Sequence, residues 1–352
     1  MVRFENPRSR HPFHMHDMIR GQPGFVRETL TRLRHLDGRG FLSRRRRIAV
    51  TGCGTSFHAA IIGARVLQEA LGARATVHAI HAYDILHGAD IPRDTVVLGV
   101  SHSGNTSTTN QALALARRSG APTRGLCGLS GTKMDEVAEE VLVTGSVHDH
   151  SWANTMSYTT QLAAFARMAE AVSPEPRDLF PDGLGSLPRL MERALGCEPA
   201  IRRLAKRVAA NDRVTFLGSG MDEITALEAA LKIRETCSFP ASGYHVEQFL
   251  HGPFLSLDRR EAIVAMRSRQ DDDRETQILE GIARTGASVT VVGEARGARI
   301  PLPRTERLLR PLVSVVPLQF LAYYVALEKK TNPDIMRSED PRYRPGLEPL
   351  FA

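Results

Sequence analysis

Cysteine is scarce in this sequence: Cys53, Cys127, Cys197 and Cys237 are scattered, with no CxxC pair among them. A chain of 352 residues can bury a core without disulfide staples, so free thiols are expected and a disulfide scaffold is excluded. Long apolar runs are missing to the eye as well. None approaches the roughly 18 residues of a membrane span, and no membrane segment is expected. Met1 to Arg20 has charges and histidines but no continuous apolar stretch, so no secretory signal is read and a cytoplasmic location is expected. His11, His14 and His16 stand close together without a cysteine or carboxylate at ligand spacing. They read as surface residues, and neither a metal nor an organic cofactor is implied.

What the chain has in excess is positive charge, +7 net. The arginines are dispersed, and the one dense run, Arg44 to Arg47, leads directly into an apolar segment. Without a recognition motif this does not indicate nucleic acid. A basic surface also attracts anionic metabolites.

The length suits two domains. Arg47 to Thr51 is a β-branched run ending in Gly52-Cys53-Gly54-Thr55-Ser56, followed by an apolar-rich helix to about Leu71. Strands are predicted at Thr76 to Ile80, Asp94 to Ser101, Arg124 to Leu129 and Glu140 to Thr144, with helices over Thr106 to Ser119 and Asn154 to Val172. Such alternation implies a parallel sheet covered by helices on both faces. The prolines and glycines of Ser173 to Pro188 mark a linker. A second cycle follows: one long helix to about Ala210, strands at Arg213 to Leu217, Glu261 to Met266 and Ser288 to Val292, and helices from Asp222 to Cys237 and near Arg274 to Arg284. Gly218-Ser219-Gly220 stands where Gly52-Cys53-Gly54 stands in the first half, an internal repeat matched in order. The boundaries are 1–40 for an N-terminal helical segment, 41–175 and 190–330 for the two domains, and 331–352 for a tail.

The run Ser101-His102-Ser103-Gly104-Asn105-Thr106 lies at the carboxyl end of a buried strand, where open α/β sheets bind ligands. A helix N-terminus offers free N–H groups and a partial positive charge, and the hydroxyls of Ser101, Ser103 and Thr106 add donors without charge. The set suits a phosphate monoester. Ser, Asn and Thr also cap helices routinely, and this run alone fits either role. Ser56, after the neighbouring strand, could donate into the same crevice and favours a site. In the second half the equivalent turn, Arg267 to Asp272, carries one hydroxyl and acidic residues, so one phosphate site per chain is expected.

On the helix from Asp222, 100° per residue places Glu228, Lys232 and Glu235 within a sector of about 60°. By themselves Glu228 and Lys232 read as a solvated i,i+4 pair. His251, followed by Gly252-Pro253, sits in a fixed turn and could shuttle protons near neutral pH, or serve as a hydrogen-bonded structural histidine.

Taken together, Cys53-Gly54-Thr55-Ser56, Ser101 to Thr106, Thr159-Thr160-Gln161-Leu162, Ala226 to Lys232 with Glu235, His251-Gly252-Pro253 and Val316-Pro317-Leu318-Gln319 resemble the double sugar isomerase (SIS) domain family. The likeness is to the isomerase half of glucosamine-6-phosphate synthase and runs from about Met15 to Asn332. It implies an α/β fold of two doubly wound, parallel-sheet SIS domains in tandem, flavodoxin-like three-layer sandwiches. It implies that Ser56, Ser101, Ser103 and Thr106 bind phosphate, with His102 where the synthase has glutamine. It implies Glu235 as the base between carbons 1 and 2, Lys232 as assisting the sugar hydroxyls, and His251 as a ring-opening histidine that reaches into the partner subunit of a homodimer.

Three departures limit the transfer. No glutaminase domain precedes the isomerase half, and residue 2 is Val2. Where the synthase reads Ala-Ser-Thr-Lys, this chain has Ala153-Asn154-Thr155-Met156, placing Asn154 in the substrate loop without the lysine. The tail has no lysine after Lys330, leaving Arg342 or Arg344 as substitutes, or a different chemistry. The expectation is an enzyme acting on a phosphorylated amino sugar or ketose by aldose/ketose isomerisation, deamination or deglycation. The alternatives are a phosphosugar-binding regulatory protein and the isomerase subunit of a synthase with separate ammonia supply.

Overall fold

The computed structural model describes residues 6–42, 44–268, 273–335, 337 and 340–347, the side chains of 344 and 347 excepted. It divides into two compact units, each built on one five-stranded sheet. Gln22–His148 and Met156–Arg189 form the first; Met1–Gly21, Asp149–Thr155 and Leu190–Ala352 form the second.

The first sheet contains β1 (Arg47–Thr51), β2 (Thr76–Ala79), β3 (Thr95–Ser101), β4 (Thr123–Cys127) and β5 (Glu140–Val143). All its pairings are parallel, in the order β2-β1-β3-β4-β5. Every residue of β3 is buried, as a central parallel strand covered on both faces requires. Helix Thr55–Leu71 packs on β1 and β2, and helix Ser107–Arg118 on β3 and β4, closing a core that includes Val97, Leu113 and Met134. The second sheet contains β6 (Arg213–Gly218), β7 (Ala241–His245), β8 (Glu261–Arg267), β9 (Ser288–Gly293) and β10 (Ile300–Pro301), again all parallel. Read from β7 its order is β7-β6-β8-β9-β10, the same topology as the first. Gly54 (φ 55°, ψ −131°) and Gly220 (φ 57°, ψ −121°) adopt matching conformations at the helix starts after β1 and β6. The weak sequence repeat is therefore a structural one, in the doubly wound order with a switch point between β1 and β3 and another between β6 and β8.

One expected helix is corrected, and two strands appear that the sequence did not predict. The helix toward Ala210 is two, Leu187–Leu195 and Glu198–Ala209, broken at Gly196 with Pro199 in the first turn of the second, where a missing N–H costs nothing. Strands β7 and β10 carry no β-branched run to reveal them. In β7 the backbone of helix Met221–Cys237 comes so close that a Cβ at Gly243 would lie 2.6 Å from the Ala226 carbonyl, so a small residue stands where strand propensity asks for a large one. Finally, helix Arg310–Glu328 is long and apolar enough to cross a membrane by length and composition. Ser314, Pro317 and Gln319 interrupt its apolar run in the sequence, yet 89% of it is buried, as in a core helix.

Candidate active site

The two clusters of expected site residues lie in different units. In the first, the turns after β1 and β3 occupy the switch point of the sheet, where neighbouring crossovers depart in opposite directions and leave a crevice. Helices Thr55–Leu71 and Ser107–Arg118 both begin there, and neither has a side-chain cap. Thr106, at the N-cap position, turns its hydroxyl to Ser101 Oγ at 2.9 Å instead. Ser101 Oγ also accepts from the Gly104 N–H at 3.1 Å, and the Ser103 hydroxyl accepts from Asn105 N–H at 3.2 Å. The hydroxyls thus shape the loop rather than the helix, which weighs against simple capping. Ser101 is buried and Ser103, Thr106 and Ser56 are half-buried.

The loop is held from behind. Asn110 Nδ2 and the Met134 N–H both donate to the Gly104 carbonyl, and the Lys133 N–H donates to Asn105 Oδ1. Gly104 sits at φ +64°, and a Cβ there would meet Thr132 Oγ1 at 2.1 Å and Cys127 Sγ at 2.7 Å. Gln161 Nε2 donates to Ser56 Oγ at 3.0 Å, which gives the Thr159-Thr160-Gln161 motif a local task. No local pattern in the sequence marks these bracing residues as part of the site; only the position of Gln161 inside a motif hints at its role.

His102 is buried, its ring edge-on to His148 at 5.2 Å. Burial, and secondarily His148, pulls its pKa down to about 3, so the imidazole is neutral at physiological pH. The ring lies beneath the loop at Gly128, where a Cβ would fall 2.2 Å from Nδ1. His102 therefore adds no charge to the cradle, whose named donors are all neutral.

In the second unit the corresponding corner carries paired charges in place of neutral hydroxyls. Asp222 stands two residues after Gly220, as Ser56 does after Gly54. It is 3% exposed, its Oδ2 lies 3.3 Å from Arg310 Nε, and Ser314 Oγ donates to Oδ1 at 3.4 Å. Burial raises its pKa, and Arg310 opposes that rise. Ser219 Oγ donates to Glu275 Oε1 at 2.8 Å, and Arg267 pairs with Glu275 at 3.3 Å. Of the turn expected to carry this contrast, Arg269 to Asp272 lie outside the described residues.

The carboxylate cluster is also in the second unit. Glu228 and Lys232 on helix Met221–Cys237 are fully buried with Nζ 3.4 Å from Oε1, which corrects the solvated pair expected from spacing alone. Lys232 Nζ also donates to Glu235 and to the Ala153 carbonyl. Burial alone would lower the Lys232 pKa, but Glu228 and then Glu235 outweigh it and hold it above the ordinary lysine value. Glu235 keeps 17% of its side chain exposed, so it is the open end of an otherwise closed triad. Asn154, beside Ala153, sits at φ 54°.

His251 is placed differently. Its side chain is 67% exposed and its nearest carboxylate is Glu247 at 4.0 Å, itself gripped by Arg274 through bonds of 3.0 and 2.8 Å. It is no buried structural histidine. In the tail, Arg342 is 81% exposed and pairs with Asp340 at 2.9 Å, while the Arg344 side chain lies outside the described residues. Of the N-terminal histidines, His16 departs from the surface expectation: its side chain is 12% exposed and contacts Glu198 at 2.7 Å. Among the described residues no group of three His, Cys, Asp or Glu is placed to hold a metal ion.

The SIS domain model matches residues 41–171. Glutamine–fructose-6-phosphate aminotransferase (isomerizing) from Symbiobacterium thermophilum is 31% identical over 91% of this chain and 57% of its own length. The chain spans about half the length of the curated relatives it matches. The C-terminal domain of glucosamine-fructose-6-phosphate aminotransferase from Francisella tularensis superposes with a TM-score of 0.82 at 20% identity, covering 94% of this chain and 99% of that one. Glucosamine-6-phosphate deaminase from Thermotoga maritima does so with a TM-score of 0.76 at 19% identity, covering 92% and 97%.

Proposed function

We propose that this chain, which carries a SIS domain and is similar along most of its length to the isomerase half of the aminotransferases, is an enzyme acting on a phosphorylated amino sugar or ketose. The reaction would be aldose/ketose isomerisation, deamination or deglycation, all of which move a proton next to a carbonyl or imine. In this reading the uncapped helix starts and the hydroxyls of Ser56, Ser101, Ser103 and Thr106 hold the phosphate, and Asn154 contacts the sugar. Glu235 removes a proton from one of carbons 1 and 2 to give an enediol or enolamine, and returns it to the other. Lys232, charged, stabilises the oxygen on which negative charge develops. His251 opens the ring in the site of a partner subunit, and its exposure supports that role.

One observation carries the enzyme over the sensor: Glu235 is the single partly exposed member of a buried, charge-coupled triad. A sensor needs a phosphate cradle but has no use for a carboxylate held this way. General-base catalysis is worth roughly 10²–10⁴-fold, so Glu235→Gln should lower turnover at least that far. In deuterium oxide the wild type should wash deuterium into carbon 1 or 2 of fructose 6-phosphate, glucosamine 6-phosphate or a fructosamine 6-phosphate, and the variant should not. No exchange by the wild type with any of them would favour the sensor.

A further inference from the structure

The segment Asp149–Thr155 belongs to the second unit although the residues on both sides of it belong to the first. Its place therefore depends on contacts made within the second unit. At one end the Gln319 side chain donates to the Thr155 carbonyl at 3.1 Å. In the middle the Trp152 N–H donates to the Asp334 carbonyl at 3.2 Å. The next residue, Ala153, offers the carbonyl that accepts from Lys232.

Asp334 is fully buried and fixed from several directions. Its carboxylate accepts from the N–H groups of His14 and Met15, both at 2.8 Å, at the start of helix His14–Arg32. Its own N–H donates to Asn332 Oδ1 at 2.9 Å, and Asn332 donates in turn to the Arg8 carbonyl. A carboxylate receiving two orphan N–H groups of a helix start makes charge-assisted bonds, which are shorter and stronger than neutral ones. The side chain thus anchors the residue whose carbonyl seats Trp152, one peptide away from the group that orients Lys232.

We propose that Asp334 is a positioning residue for the Lys232–Glu235 pair, acting through Trp152 and the Ala153 carbonyl. The functional part rests on the reading of Glu235 as the base. A misplacement of about 1 Å remote from the chemistry can cost 10²-fold. Asp334→Ala should lower kcat at least tenfold while KM changes less than threefold, and Asp334→Asn, which keeps one acceptor, should restore part of that loss.

A second readout is independent of turnover. The chain has five lysines, so ¹³Cε-lysine labelling can resolve the buried Lys232, assigned by Lys232→Met. Its signal should shift in folded Asp334→Ala while the exposed lysines stay in place. A lowered melting temperature with an unchanged Lys232 signal, or an unchanged kcat, overturns the proposal. Should the alanine variant fail to fold, Asp334→Asn decides: a displaced signal with reduced kcat supports positioning, and wild-type values refute it. If wild-type protein turns over no phosphosugar, the functional reading falls, and the Lys232 signal alone tests the contact chain.

Discussion

Lys232→Met tests the buried triad most directly, because the side chain is close in volume while the charge and the hydrogen bonds it donates are lost. In the wild type Glu228 and Lys232 have no exposed side-chain surface, and Glu235 has 17%. Removing one partner of a buried ion pair leaves uncompensated charge and costs about 3–5 kcal/mol. Here two carboxylates share the cation, so the loss should fall within that range at pH 8. The pH dependence fixes the cause. The raised pKa of Lys232 means that its contribution is fully present below the unfolded value and is lost only as pH rises through the folded one. The wild-type contribution is therefore constant between pH 5 and 8. In the variant, desolvation without the cation raises the carboxylate pKa values above the unfolded ones, so the penalty is present at high pH and fades as pH falls through them. The gap between the two proteins should narrow from pH 8 to pH 5. Urea denaturation followed by fluorescence isolates the right unit, since the single tryptophan, Trp152, lies in it and adjoins Ala153. A gap below about 1 kcal/mol at pH 8, or one equal at both pH values, would refute the reasoning, since a surface pair is worth no more than that.

Gly104→Ala should destabilise the first unit by about 1–3 kcal/mol through its positive φ, beyond the contact with Thr132, and weaken phosphosugar binding at least tenfold by calorimetry. Binding at wild-type affinity would show that the loop conformation is not what holds the phosphate. For the shared-site reading, mixing inactive Glu235→Gln with inactive His251→Ala chains should return part of the activity. Exchanged subunits that remain inactive would place both residues' work in one subunit or rule out their roles.

The strands that lie at the middle of each sheet were legible because they are the simplest chemistry. Thr95–Ser101 is buried throughout and polar only at Thr95 and Ser101, its two ends, and Glu261–Arg267 is likewise apolar between two charged ends. The edge strands of the second sheet were not, because β7 answers to the closeness of a helix and β10 is two residues long. The candidate cradle was legible as a turn for a similar reason, since hydroxyls and glycine crowd into one short stretch. Its supports were not: Asn110, Thr132 and Gln161 come from other elements and touch the turn only after folding. Helical spacing placed Glu228, Lys232 and Glu235 on one face but could not say whether water covers it. Burial by neighbouring elements decides that, and no local pattern carries it.

Helix Arg310–Glu328 has a consequence for the order of assembly. It packs against helices Glu198–Ala209 and Met221–Cys237, and its Tyr323 hydroxyl accepts from the Phe13 N–H at 3.1 Å. The second unit thus needs its earliest and its latest residues at once. A nascent chain emerges from its N-terminal end, so Phe13 and its neighbours are made before the first unit and then wait through the whole of it for the segment that covers them. The first unit, drawn from a stretch that ends at Arg189, can close beforehand. Meanwhile the apolar surface that helix Arg310–Glu328 will cover stays open to solvent, and the helix itself is, among the described residues, the one long and apolar enough to cross a membrane. Truncation before it should leave the second unit without a core rather than merely shortened.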